Sequence, residues 1–169
     1  MDADDLRAAQ APLKERYRQD PSSAEITLEA SGDLDGAGIT CSVDTGRAMI
    51  QAGLHPATGG DGLSACSGDL LLEALVACAG VTLRAVATAM EVPVRSGRVH
   101  AEGDLDFRGT LGVDREAPVG FRAIRLRFEV DADADQRTLD KLLELTERYC
   151  VVYQTLAGTP ALSAGLGPR

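Results

Sequence analysis

The side chains best suited to covalent chemistry in this sequence are four cysteines, Cys41, Cys66, Cys78 and Cys150. A thiolate serves as nucleophile, metal ligand or redox centre, and spacing narrows the choice. No two of the four form a C-x-x-C pair. The two histidines, His55 and His100, have no cysteine or carboxylate at ligand spacing, so zinc is not expected. Gly59-Gly60-Asp61-Gly62 lacks the Lys-Ser/Thr ending of a phosphate-binding loop. Redox or nucleophilic thiol chemistry therefore stands against the common fate of free cysteine, inert packing in a core. Cys66 and Cys78 are 12 positions apart. Along a helix that is about 18 Å, against the roughly 7 Å between Cα atoms that a disulfide tolerates. Cys41 shares a strand face with Ile39 and Val43. Cys78 and Cys150, 72 positions apart, can meet only through tertiary structure. Spacing alone does not choose among the four.

Composition sets the surroundings. A chain of 169 residues suffices for one domain with a sizeable core, and with 4% aromatic residues that core must be largely aliphatic. The net charge of −9 argues against nucleic acid, whose phosphates require a basic surface, and against anionic membranes. The start, Met1-Asp2-Ala3-Asp4-Asp5, is acidic and has no apolar leader behind it. The most apolar run, Ala74 to Leu83, is too short to span a bilayer. Irregularly spaced cysteines then point to reduced thiols and a cytoplasmic location.

Hydrophobic periodicity indicates which elements position the thiols. Leu6, Ala9 and Leu13 suggest an amphipathic helix that stops near Asp20-Pro21, giving a helical extension over residues 1–22. Glu25 to Ala30 reads as a strand and Gly32 to Gly38 as a turn. Ile39, Cys41 and Val43 alternate with polar residues, and Arg47 to Ala52 returns as the second arm of a hairpin. His55 to Ser67 is broken by Pro56, Gly59, Gly60 and Gly62 and reads as a loop, with Ser67 as a helix cap. Gly68 to Met90 is helical and apolar on nearly every side, so other structure should wrap it. Arg98 to Leu111 and Gly120 to Asp131 alternate as half-buried strands, with His100 on the solvated face. Leu139, Leu142, Leu143, Thr146 and Tyr149 have helical spacing, and Cys150 follows at once. Strands interrupted by two helices, without βαβ alternation, indicate an α+β fold. A homodimer that shares its core would cover the central helix.

Two segments carry a family resemblance. Gly68-Asp69-Leu70-Leu71-Leu72-Glu73-Ala74-Leu75-Val76-Ala77-Cys78 resembles the OsmC/Ohr superfamily signature, a carboxylate-bearing run that opens a central helix with a reactive cysteine. Cys150-Val151-Val152-Tyr153-Gln154-Thr155-Leu156 is similar to its second signature, usually Cys-Pro-Val followed by a polar pair and an aliphatic residue. The Gly59-Gly60 loop also fits, and the similarity runs from about residue 24 to 165.

The resemblance implies an OsmC-like domain over residues 23–169, an antiparallel sheet wrapped around a long central helix in a swapped, intertwined homodimer. It implies a peroxidase of organic hydroperoxides or hydrogen peroxide that needs no cofactor. Cys78 would be oxidised to a sulfenic acid, Cys150 would resolve it as a disulfide, and an external dithiol would reduce the pair. A thiol inside an apolar helix needs a positive partner to ionise. In the family that is an arginine held by a glutamate ten positions before the cysteine. Gly68 stands at that position, leaving Asp69 as the nearest carboxylate and Arg47 as the expected cation, with Arg148 second. Val151 replaces the proline that would aim the resolving thiol. The alternative is a non-catalytic or weakly redox-active relative that binds a small apolar ligand or senses oxidants.

Overall fold

The computed structural model describes residues 2–5, 7–8, 10–11, 19, 31–33, 40–44, 49–112 and 114–167. Strands β1 (Ser31–Asp33), β2 (Thr40–Asp44) and β3 (Met49–Gly53) are antiparallel neighbours, and the short β4 (Ala65–Cys66) runs parallel to β3. Helix α1 (Ser67–Ala89) follows. A hairpin of β5 (Val94–Leu105) and β6 (Phe121–Ala132) forms a second sheet, interrupted by the one-turn helix α2 (Phe107–Thr110). Helices α3 (Gln136–Tyr149) and α4 (Val151–Ala157) complete the chain, with Cys150 as the single residue between them. The α+β expectation holds.

Helix α1 is the hub. Leu75, Ala79, Leu83 and Ala87 recur every fourth residue and form its buried stripe. Leu83 and Ala87 join Val92 and Leu142 in a core closed by Phe128 and Val130 of β6. Val81, on another side of the helix, stays 72% exposed within the single chain.

The hairpin follows its alternation. Val99 faces Phe128, Ala101 faces Leu126 and Gly103 faces Ile124, all half-buried. The opposite face is charged, with the Arg125 guanidinium spanning both Asp104 oxygens at 2.6 and 2.7 Å. Gly103 is required as glycine, because a Cβ there would overlap the Phe121 ring.

Several local expectations are corrected. Ser31–Asp33 is a strand, although Gly32 to Gly38 reads as a turn; pairing with β2 overrides the local glycine and aspartate signals. The strand expected to reach Leu111 ends at Leu105. There the Asp106 carboxylate accepts the Arg108 N–H at 3.1 Å and caps α2. The loop from His55 to Ser67 contains a 3-10 turn at Pro56–Thr58, whose Ala57 N–H donates to His55 Nδ1 at 3.0 Å, as well as β4. Ser67 is the first helical residue; the cap position belongs to Cys66, whose side chain makes no capping bond. His100 is half-buried rather than solvated, its Nε2 lacking a hydrogen bond and lying 3.7 Å from Glu129 Oε2. The strand read at Glu25 to Ala30 and the apolar positions Leu6, Ala9 and Leu13 lie outside the described residues.

Candidate active site built on a thiol pair

Cys78 lies in the fourth turn of α1, half-buried. Cys150 is 1% exposed, where α3 ends and α4 begins. The amphipathic α3 delivers it: Leu142 and Thr146 bury one face, and the Cys150 N–H still donates to the Thr146 carbonyl at 3.0 Å. Its φ of −74° and ψ of 110° then turn the chain into α4. The two thiols are near enough to influence each other's ionisation, and neither is in a disulfide.

The contact is asymmetric. Burial, the largest influence on Cys78, acts to raise its pKa. Four donors oppose it: the Val152 N–H, the Cys150 S–H, the Val151 N–H and the Thr82 hydroxyl. Together they hold the Cys78 thiol below its ordinary value. At Cys150 burial again pushes upward, the Tyr153 N–H pulls down, and the hydrogen bond to Cys78 and the charge there push further up. Its pKa is raised. Of the two thiols, Cys78 is the more readily ionised.

The donors at residues 151–153 arise from chain geometry. A helix leaves its first N–H groups without intrahelical acceptors, and in α4 the first such bond is Gln154 N–H to the Cys150 carbonyl, at 2.9 Å. The N–H groups of Val151 and Val152 act to lower the pKa of Cys78, and those of Val152 and Tyr153 that of Cys150. Thr82 stands one turn beyond Cys78 on the same face of α1, and its hydroxyl donates to the Cys78 carbonyl at 2.8 Å. A single hydroxyl proton serves carbonyl or sulfur at one time, so its donation to sulfur grows when Cys78 ionises. Sequence reasoning passed over these donors. Thr82 was detectable from its i+4 spacing; the peptide N–H groups carry no side-chain signal.

The other expected residues fall elsewhere. Asp69 is exposed in the first turn of α1, two turns and more before Cys78. Arg47 lies outside the described residues. The Arg148 guanidinium sits 5.6 Å from the Tyr149 ring centroid. Cys66 is half-buried beside Gly68, together with the Phe121 ring and Leu105. Among the described residues no cation contributes to the lowered pKa of Cys78. An open cavity of about 360 Å³ is lined by Leu75, Phe121, Ile124, Leu126, Tyr153 and Leu156, with Arg122 and Glu147 also on its wall; Leu75 stands one turn before Cys78 on α1 and Tyr153 three residues after Cys150.

Residues 59–164 match the family model described as OsmC-like protein. No curated protein is significantly similar in sequence. An OsmC-like protein from Mycoplasma pneumoniae is 17% identical, with a TM-score of 0.66 over 80% of this chain and 90% of that one. A Legionella pneumophila protein, titled an organic hydroperoxide resistance protein OsmC, is 15% identical, with a TM-score of 0.62 over 79% and 93%. An organic hydroperoxide resistance protein from Elizabethkingia anophelis is 13% identical, with a TM-score of 0.58 over 80% and 92%. At these identities the likeness is one of fold.

Proposed function

The chain belongs to the OsmC-like protein family, and from that premise we propose that it is a thiol-dependent peroxidase that reduces organic hydroperoxides or hydrogen peroxide. The observation carrying this reading is the asymmetric contact between Cys78, half-buried with a lowered pKa, and Cys150, buried with a raised one. A peroxidatic thiol must be ionised and reachable, and a resolving thiol must wait protonated beside it.

The Cys78 thiolate attacks the terminal oxygen of the peroxide, the O–O bond breaks, and the alkoxide leaves and takes up a proton as the alcohol. Cys78 is then a sulfenic acid. Cys150 sulfur attacks it, an S–S bond forms, and water departs with the Cys150 proton. A dithiol reductant of two thiols restores the pair by exchange and is itself oxidised to a disulfide. The apolar side chains on the cavity wall, beside Arg122 and Glu147, suit a peroxide that bears a carbon chain.

Arg47 and Asp69 keep a proposed role as a cation and its carboxylate partner, acting in a homodimer where Asp69 of one copy approaches the thiol of the other. The exposed Val81 and Leu71 on the central helix support such a dimer. The proposed location is the cytoplasm.

Mixing the protein with cumene hydroperoxide and a dithiol tests the reading. Catalytic consumption that Cys78→Ser abolishes is expected. Equal rates for wild type and Cys78→Ser would overturn it. Intact mass after one equivalent of peroxide should show a loss of two hydrogens that maps to Cys78–Cys150, and sedimentation should give a dimer mass.

A further inference from the structure

We propose that Glu147 is a specificity-determining residue on the wall of the cavity, one that turns away peroxides bearing a carboxylate and admits uncharged or amine-bearing ones. The inference rests on the proposed function only in taking the ligand to be a peroxide; the selection by charge belongs to the cavity wall.

Three wall residues place the cavity against the segments that carry the thiols. Leu75 stands one turn before Cys78 on α1, Glu147 one turn before Cys150 on α3, and Tyr153 three residues after Cys150 on α4. Most of the remaining wall is aliphatic or aromatic, so a charge there is screened less than in open water. The two charged wall residues differ in how they are neutralised. The Arg122 guanidinium is 60% exposed and lies 4.0 Å from the Asp106 carboxylate, in a group where Arg108 also reaches Asp106 at 2.6 Å and Asp114 at 3.3 Å. Arg108 and Arg122 thus face Asp106 and Asp114, and the group is neutral. Glu147 is half-buried, and among the described residues its carboxylate has no hydrogen bond or ion pair. Only its backbone carbonyl is engaged, by the Gln154 side-chain amide at 2.8 Å. Arg148, next in the chain, lies by the Tyr149 ring instead. The wall therefore carries one uncompensated negative charge, in a chain of net charge −9 that supplies no positive background. A carboxylate entering the cavity would shed hydration and meet like charge. An uncharged ligand escapes that repulsion, and an ammonium group gains an opposite charge.

Octanoate, octanol and octylamine share one apolar body and differ in charge. Titrating each into the reduced protein, followed by the amide NMR shifts of Ile124 and Leu126, reads affinity without turnover. Octanoate should bind about three- to tenfold more weakly than octanol at low salt, the scale of one like-charge contact in a partly screened site. Octylamine should bind at least as tightly as octanol. Raising sodium chloride from about 20 to about 500 mM should narrow the differences. Glu147→Gln keeps the shape of the side chain and removes its charge, so octanoate should come within about twofold of octanol. Equal affinities of the three probes in the wild type would overturn the proposal, as would no binding by any of them. So would a gap that neither salt nor Glu147→Gln narrows. Tightest binding by octanoate, lost in Arg122→Gln, would assign the selection to the arginine and overturn it too. No step consumes peroxide, so a protein without peroxidase turnover can show this order, and one with turnover can fail to show it.

Discussion

Cys78 and Cys150, 72 positions apart in the chain, interact as free thiols, and the interaction acts to lower the pKa of Cys78 and to raise that of Cys150. It stabilises charge on the half-buried sulfur and keeps the proton on the buried one, so the pair is primed for a single order of events. In the proposed reaction Cys78 meets the oxidant and Cys150 closes the disulfide.

Reactivity should track this order in pH. Cys78 has a lowered pKa, so its thiolate fraction, and with it the rate of alkylation, should rise with a midpoint below the ordinary thiol value of 9.0. Cys150, with its raised pKa, should remain unmodified until more alkaline pH. Peptide-resolved alkylation between pH 5 and 11 checks both, and a reversed order would contradict the assignment.

Removing the resolving thiol should have two separable effects. In Cys150→Ala the sulfenic acid on Cys78 should persist after one equivalent of peroxide, gaining one oxygen instead of losing two hydrogens, as read by intact mass. The Cys78 midpoint should also move upward, since a donor to the thiolate is gone.

Thr82→Val keeps the shape of the side chain and deletes its hydroxyl. The Cys78 midpoint should rise by a few tenths of a pH unit to about 0.7, the scale of one neutral hydrogen bond worth about 1 kcal/mol. Thr82→Ser, which retains the hydroxyl, should lie near wild type. Equal shifts in both variants would assign the effect to packing.

Leu142 is buried in the core between α1 and α3 and shares the buried face of α3 with Thr146, one turn before Cys150. Leu142→Ala should cost about 2–5 kcal/mol in chemical denaturation. It should also weaken the Cys78–Cys150 contact by loosening the helix that carries Cys150, measurable as slower disulfide closure.

Gly103→Ala should destabilise the β5–β6 hairpin by about 1–3 kcal/mol, because the added methyl enters space filled by the Phe121 ring. The double variant with Phe121→Ala should recover part of the loss from the clash, a non-additivity that denaturation of the four-member cycle resolves.

By itself the sequence determined the elements that carry the thiols. Twenty-odd residues apolar on nearly every side read as one long helix, and Leu139, Leu142, Thr146 and Tyr149 could share a face only on a second one. Alternation marked both hairpin strands, because a half-buried antiparallel strand must separate its two faces. The motifs around Cys78 and Cys150 singled out two of four cysteines. Tertiary structure decided how those sulfurs are arranged and what surrounds them. A side-chain reading of a buried thiol looks for a cation, since only charged residues announce themselves by letter. Among the described residues, the groups that favour the Cys78 thiolate are the peptide N–H groups of Val151 and Val152, the Cys150 thiol and the Thr82 hydroxyl. Whether a peptide N–H is free depends on where a helix begins, and its target depends on how two helices pack. Neither is written in the identity of a residue.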